Sequence, residues 1–146
     1  MKKKIAIIGS TGSIGKSLIS ILRKNKKDFR IILLTGHKNY KKLFKIALEF
    51  KVQNLIITDL KSYQKLKLRI KNQKINIYNN FNDLDKILKN KIEYTMSSIT
   101  GLDGLYPTLK MIKYTRKIAI ANKESIICGW SLIQKELKKN NTTFLP

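Results

Sequence analysis

An apolar run that stops at a glycine, with two more glycines following at three-residue intervals, constrains this chain more than any other feature: Ile5-Ala6-Ile7-Ile8-Gly9-Ser10-Thr11-Gly12-Ser13-Ile14-Gly15. A continuous apolar run predicts a strand buried on both faces of a parallel sheet. The glycines let the backbone turn sharply and approach a ligand closely. A helical apolar period starts at Ile14, so a helix N-terminus offers unpaired N–H groups and a positive dipole end to an anion. Ser10, Thr11 and Ser13 add hydroxyls able to donate to phosphate oxygens. A phosphate-bearing cofactor suits such a turn, although the glycines alone also suit a tight turn that holds nothing.

The remaining chain repeats the alternation. Strands are expected at 31–34, 55–57, 75–78, 94–99 and 118–121, with a further one starting at Thr142. Between them fall helical faces made by Ile14, Leu18, Ile21 and Leu22, then by Leu43, Phe44, Ala47 and Leu48, then by Tyr63, Leu66 and Ile70. Thr58 or Asp59 can cap the third of these helices, and Asn80 or Asn82 a short one with Leu84, Ile87 and Leu88. Leu105, Leu109 and Ile112 mark the next, with Pro107 in its first turn, where a missing N–H costs little. Ile126, Trp130, Ile133 and Leu137 mark the last. This order predicts an α/β fold: a doubly wound, mostly parallel Rossmann-type sheet with right-handed crossovers, in a single domain over 1–146. The chain stops as a strand begins, so the sheet is expected to be truncated at its C-terminal end.

The net charge of +22 would ordinarily suggest nucleic acid or an anionic membrane as partner. Nearly all of it is Lys, with Arg only at 23, 30, 69 and 116, and the lysines are spread over every predicted polar face. That pattern fits a solvated surface better than a binding stripe, so neither partner is expected. Cys128 is the only cysteine and His37 the only histidine, which excludes an intrachain disulfide, a Cys-based metal cluster and a multi-histidine site. The apolar run after Lys2-Lys3-Lys4 is too short for a secretory segment or a membrane span. A soluble protein of the bacterial cytoplasm is expected.

Two nucleotide motifs compete for the first turn. Gly15-Lys16-Ser17 has the tail of a P-loop, but that motif needs a glycine at position 10, which is Ser. Gly9, Gly12 and Gly15 instead form a variant of the dinucleotide fingerprint. NAD sites usually place an acid at the end of the second strand to bind the ribose 2′-OH. Here that end reads Thr35-Gly36-His37-Lys38-Asn39, without an acid. Lys38, and with it His37, suits a 2′-phosphate, and Asn39 can add hydrogen bonds, so NADPH is expected over NADH. Lys38 is also what any surface position would carry in so Lys-rich a chain; the missing acid is the stronger half of the argument. Ala121-Asn122-Lys123-Glu124-Ser125 follows a strand and opens a helix. It offers an amide, a cation and an acceptor at the ligand edge of the sheet, and equally well makes a polar helix cap.

With these residues in place, the chain resembles the N-terminal part of the 1-deoxy-D-xylulose 5-phosphate reductoisomerases over essentially its whole length. The resemblance rests on Gly9 through Gly15, on Gly36-His37-Lys38-Asn39, on Gly101 through Gly104-Leu105-Tyr106-Pro107-Thr108-Leu109, and on Ala121 through Ser125. It implies an NADPH-dependent enzyme of isoprenoid precursor synthesis, the methylerythritol phosphate pathway. In that family Mg²⁺ or Mn²⁺ holds a phosphorylated sugar substrate, the carbon skeleton rearranges, and NADPH reduces the product. The resemblance further implies that Thr11, Gly12, Ser13 and Ile14 bind the cofactor pyrophosphate, and that Gly36, Lys38 and Asn39 hold the adenosine ribose and its 2′-phosphate. Asn122 and Glu124 would sit by the nicotinamide, Lys123 would contact substrate, and residues 97–100 would line the crevice.

The family's metal-binding Asp-Ser-Glu segment, catalytic domain and dimer interface come after the strand that begins at Thr142. This chain is therefore expected to carry no catalytic residue and no metal ligand, and to be inactive by itself, while the full-length protein would be a homodimer. Two alternatives remain. A semialdehyde dehydrogenase shares a looser form of the first motif but needs a nucleophilic cysteine, and Cys128 lies within a predicted helix. A basic binding module with a vestigial nucleotide fold needs no chemistry at all.

Overall fold

The computed structural model describes residues 1–71 and 74–146. Strands β1 (Lys3–Ile8), β2 (Phe29–Gly36), β3 (Asn54–Ile57), β4 (Asn76–Tyr78), β5 (Ile92–Ser97), β6 (Thr115–Ile120) and β7 (Thr143–Leu145) alternate with six helices. These are α1 (Ser13–Lys24), α2 (Tyr40–Phe50), α3 (Leu60–Arg69), α4 (Leu84–Ile87), α5 (Leu105–Ile112) and α6 (Lys123–Asn140), with a 3-10 turn at Leu102–Gly104 before α5. The strands form one sheet in the order β4-β3-β2-β1-β5-β6-β7. Every pairing in it is parallel.

Strand periodicity divides the core into two layers. Ile5 and Ile7 point to one face with Ile31, Leu34, Leu55 and Ile57, where Ile19, Leu22, Leu43 and Leu66 of α1–α3 cover them. Ala6 and Ile8 point to the other, with Leu33, Ile118, Met111, Ile112, Ile133 and Leu137. Both faces are buried, which is why the strands read as unbroken apolar runs. Each fully buried Ile or Leu contributes roughly 1.5–3 kcal/mol relative to exposure.

The elements and their order match the sequence expectation, but several details do not. The inward face of α1 is Gly15, Ile19 and Leu22, whereas Ile14 is exposed and Ile21 is 56% exposed. On α2, Ile46 is buried in place of Leu48, which is 47% exposed. Both helices carry apolar residues on more than one side, so spacing alone could not tell which side meets the sheet. Asp59, not Thr58, caps α3 by accepting from the Ser62 amide. Asp83, and neither Asn80 nor Asn82, occupies the N-cap of α4. Asn80 instead accepts from the Asn82 amide within the preceding turn. β5 ends at Ser97 and β6 at Ile120, short of the expected 99 and 121.

Candidate functional site

β1 pairs with β2 on one side and with β5 on the other. Chain direction across the sheet reverses there, and the carboxyl ends of such neighbouring strands open a ligand crevice. Gly9 turns the chain out of β1 at φ +82°, a left-handed conformation. A β-carbon on it would also stand 2.9 Å from the amide nitrogen of Ile99. Gly15 lets α1 close on the turn, since a β-carbon there would meet the Ser10 carbonyl oxygen at 2.5 Å.

Two polar strand ends pin the turn from either side. Thr35 accepts from the Gly9 amide through Oγ1 (2.9 Å), and its carbonyl accepts from both the Ser10 amide (2.9 Å) and the Ser10 hydroxyl (2.8 Å). Ser98 donates its hydroxyl to the Ile8 carbonyl (2.8 Å), with a longer contact to Gly9. Ser10 was expected to offer its hydroxyl to phosphate. It is fully buried and already bonded, so that hydroxyl serves the fold. Gly12 is the N-cap of α1 and makes no side-chain cap, which leaves first-turn N–H groups for an anion.

A cleft of about 790 Å³ opens over this turn. Thr11, Gly12, Gly36, His37, Ser98 and Ile99 contribute to its lining, together with Phe81, Tyr106 and Pro107. His37 Nδ1 lies 2.7 Å from Thr58 Oγ1, which fixes the ring at the cleft edge. Asp59 follows, its carboxyl held below the usual range chiefly by hydrogen bonds from Ser62. Residues 35–39 include no acid, although Asp59 sits beside His37 and Lys38 and Asp103 lines the cleft.

Other expected site residues lie away from the cleft lining. Ser13 and Ile14 are exposed on the first turn of α1. Lys38 is exposed and its carbonyl accepts from the Ser62 hydroxyl at 3.0 Å. Asn39 caps α2, accepting from the Lys42 amide at 3.3 Å, and faces a separate groove between α1 and α2. Asn122 is 5% exposed and its amide is fully occupied. Oδ1 accepts from the amides of Glu124 (3.0 Å) and Ser125 (3.3 Å), while Nδ2 donates to the carbonyls of Ile99 (2.6 Å) and Gly101. The polar-cap reading of this segment therefore holds for Asn122, and the same side chain also ties α6 to the cleft wall. Lys123 and Glu124 are exposed on the first turn of α6.

Sequence reasoning placed Thr35 at the end of β2 and Ser98 along the crevice but missed the bonds by which they fasten the turn, and it missed Lys42. Lys42 donates its ammonium to the Thr11 carbonyl at 3.1 Å, a contact that links α2 to the glycine turn across 31 residues of sequence. Cys128 is exposed on α6. Among the described residues no group of three or more His, Cys, Asp or Glu is placed to hold a metal ion. Asp83 serves α4 and pairs with Lys86 at 3.1 Å. No helix among the described residues is long and apolar enough to cross a membrane.

Comparison with known proteins bears on this geometry. The family model described as 1-deoxy-D-xylulose 5-phosphate reductoisomerase matches residues 5–129. The chain is 56% identical to the 1-deoxy-D-xylulose 5-phosphate reductoisomerase of Pelagibacter ubique over 146 residues, which is 99% of this chain and 38% of that protein. The enzyme of that name from Zymomonas mobilis, solved in complex with NADPH, superimposes with a TM-score of 0.89 at 28% identity. That match covers 99% of this chain and 38% of the other. A reductoisomerase solved with NADPH, fosmidomycin and magnesium gives 0.89 at 31% identity, covering 99% and 36%. The chain thus spans under two-fifths of the length of the relatives it matches.

Proposed function

The chain belongs to the 1-deoxy-D-xylulose 5-phosphate reductoisomerase family, and on that premise we propose that it forms the NADPH-binding part of an enzyme making 2-C-methyl-D-erythritol 4-phosphate from 1-deoxy-D-xylulose 5-phosphate. The observation that carries the proposal is the cleft at the β1/β5 switch point, with a glycine cradle, a helix start free of side-chain caps and no acid among residues 35–39 at the end of β2.

In this reading Thr11, Gly12, Ser13 and Ile14 hold the pyrophosphate, through first-turn N–H groups and the Thr11 and Ser13 hydroxyls. Gly36, Lys38 and Asn39 surround the adenosine ribose and its 2′-phosphate. Glu124 stands toward the nicotinamide side. Asn122 acts there by holding residues 99–101 in place, because its own amide is spent. Lys123 extends from the start of α6 toward an anionic substrate. Bound NADPH would supply the hydride for reduction. The chain's own task is to orient that donor along the crevice between Gly9 and Ser98.

The same reading takes a phosphorylated sugar as substrate and assigns the divalent metal, Mg²⁺ or Mn²⁺, to ligands outside this chain, with the catalytic and C-terminal domains. It makes the full-length protein a homodimer of the bacterial cytoplasm, without a nucleic-acid or membrane partner. Fluorescence titration of the chain with NADPH and NADH tests the cofactor claim. Saturable binding with NADPH tighter than NADH is expected, and binding of neither refutes the proposal.

A further inference from the structure

We propose that Lys42, with Lys16 beside it, joins Lys38 in gripping the adenosine 2′-phosphate and sets the preference for NADPH over NADH; this rests on the cofactor reading above. Sequence alone pointed to Lys38, but that side chain lines neither the cleft nor the groove beside it. Lys42 sits one turn into α2, where Asn39 bonds its amide and fixes its backbone. From there its ammonium crosses to the glycine turn and donates to the Thr11 carbonyl.

The end of β2 lies against the same turn. A β-carbon on Gly36 would be 3.5 Å from the Thr11 methyl. A ribose placed at the end of β2, where related folds bind the 2′-hydroxyl, is therefore next to Thr11 and to the ammonium that bonds it. The adjoining groove, about 620 Å³, is lined by Lys16, Arg23, Asn39, Lys41, Lys42 and Lys45, with Ile19 and Ile46 beneath, and holds no carboxylate. Glu49 is already engaged by Arg23 at 2.6 Å and Lys26 at 3.7 Å.

Lys42 and Lys16 are close enough to oppose each other's charge. Desolvation first, and then Lys16, hold the Lys42 ammonium below its ordinary pKa. A dianionic phosphate between them turns that repulsion into two attractions. Among the described residues the fold thus concentrates unneutralised positive charge beside the position a 2′-phosphate would take.

Isothermal titration of the chain and its variants with NADPH, NADH and adenosine 2′,5′-bisphosphate decides the matter. Lys42→Gln is expected to weaken NADPH and the bisphosphate by roughly 10-fold or more and NADH by less than about 2-fold. Lys42→Arg should retain the preference. Lys24→Gln, which removes an equal charge outside the groove, should shift every affinity by less than about 2-fold. Equal weakening of NADPH and NADH by Lys42→Gln, with circular dichroism matching the parent, would mean that Lys42 only braces the Thr11 turn and would overturn the assignment. Undiminished NADPH binding by Lys42→Gln would overturn it too. A folded parent chain that binds neither nucleotide refutes the cofactor reading itself, and this assignment with it.

Discussion

The side-chain amide of Asn122 donates to the carbonyl oxygen of Ile99 at 2.6 Å, joining the start of α6 to the wall of the cleft. The same amide donates to Gly101, and its oxygen caps two N–H groups of α6. One buried residue thus serves both a helix end and the loop at residues 99–101.

Replacing Asn122 should expose both roles. Asn122→Ala removes the cap and strands two carbonyls, at a cost of roughly 2–4 kcal/mol. Asn122→Asp keeps the cap but sets a carboxylate against those carbonyls, and its deficit relative to the parent should shrink on acidification as the acid regains a donor. Urea unfolding at several pH values measures this; an alanine variant within about 0.5 kcal/mol of the parent would dismiss the tie.

The three glycines of the first turn should separate in a mutational test. Gly15→Ala presses a methyl onto the Ser10 carbonyl and should cost roughly 1–3 kcal/mol or more. Gly9→Ala adds backbone strain to a similar clash. Gly12 has only the Gly9 carbonyl oxygen, at 3.7 Å, near its missing β-carbon. Gly12→Ala should therefore fold like the parent and lose affinity for NADPH, because the methyl projects over the open side of the turn. Thermal melts paired with titration distinguish these outcomes.

Acid should weaken the fold through two carboxylates. Glu49 lies below its usual range because of the Arg23 hydrogen bond, and Asp59 because of Ser62. A lowered folded pKa means stability that is present above the unfolded value, about 4 for both. It is lost as pH falls through the folded value. Urea midpoints should drop below about pH 4, and Glu49→Gln should flatten part of that slope while costing little near pH 7, because the pair is half exposed. An unchanged slope in that variant would contradict the assignment.

Cys128 should behave as a bystander. It is exposed on α6 and lines none of the clefts described above. Iodoacetamide should label it without protection by NADPH, and Cys128→Ser should bind NADPH as the parent does. Rapid labelling that a nucleotide or aldehyde blocks would instead favour dehydrogenase chemistry at this thiol.

Much of the fold was legible because parallel strands bury both faces. Ile5 to Ile8 are all at most 2% exposed, so an uninterrupted apolar run could mean little else. Helix faces were less legible. Gly15 lets α1 settle against the Ser10 carbonyl, and that contact, rather than the count of apolar residues, turned Ile19 inward and Ile21 outward. At the site, the glycine turn and the acid-free end of β2 were readable because each is local in sequence. The roles of Thr35, Ser98 and Asn122 as fasteners were not, since their partners lie 21 to 90 residues away.

The sequence by itself determined the alternation of buried strands and helices, the cradle from Gly9 to Gly15 and the absence of an acid after β2, because each depends on neighbouring residues and short-range sterics. Only the tertiary structure decided which of the 31 basic residues meet. Strand order brings α1 and α2 side by side, and that packing turns Lys16 and Lys42 from two of many scattered surface charges into a concentrated pair beside the turn.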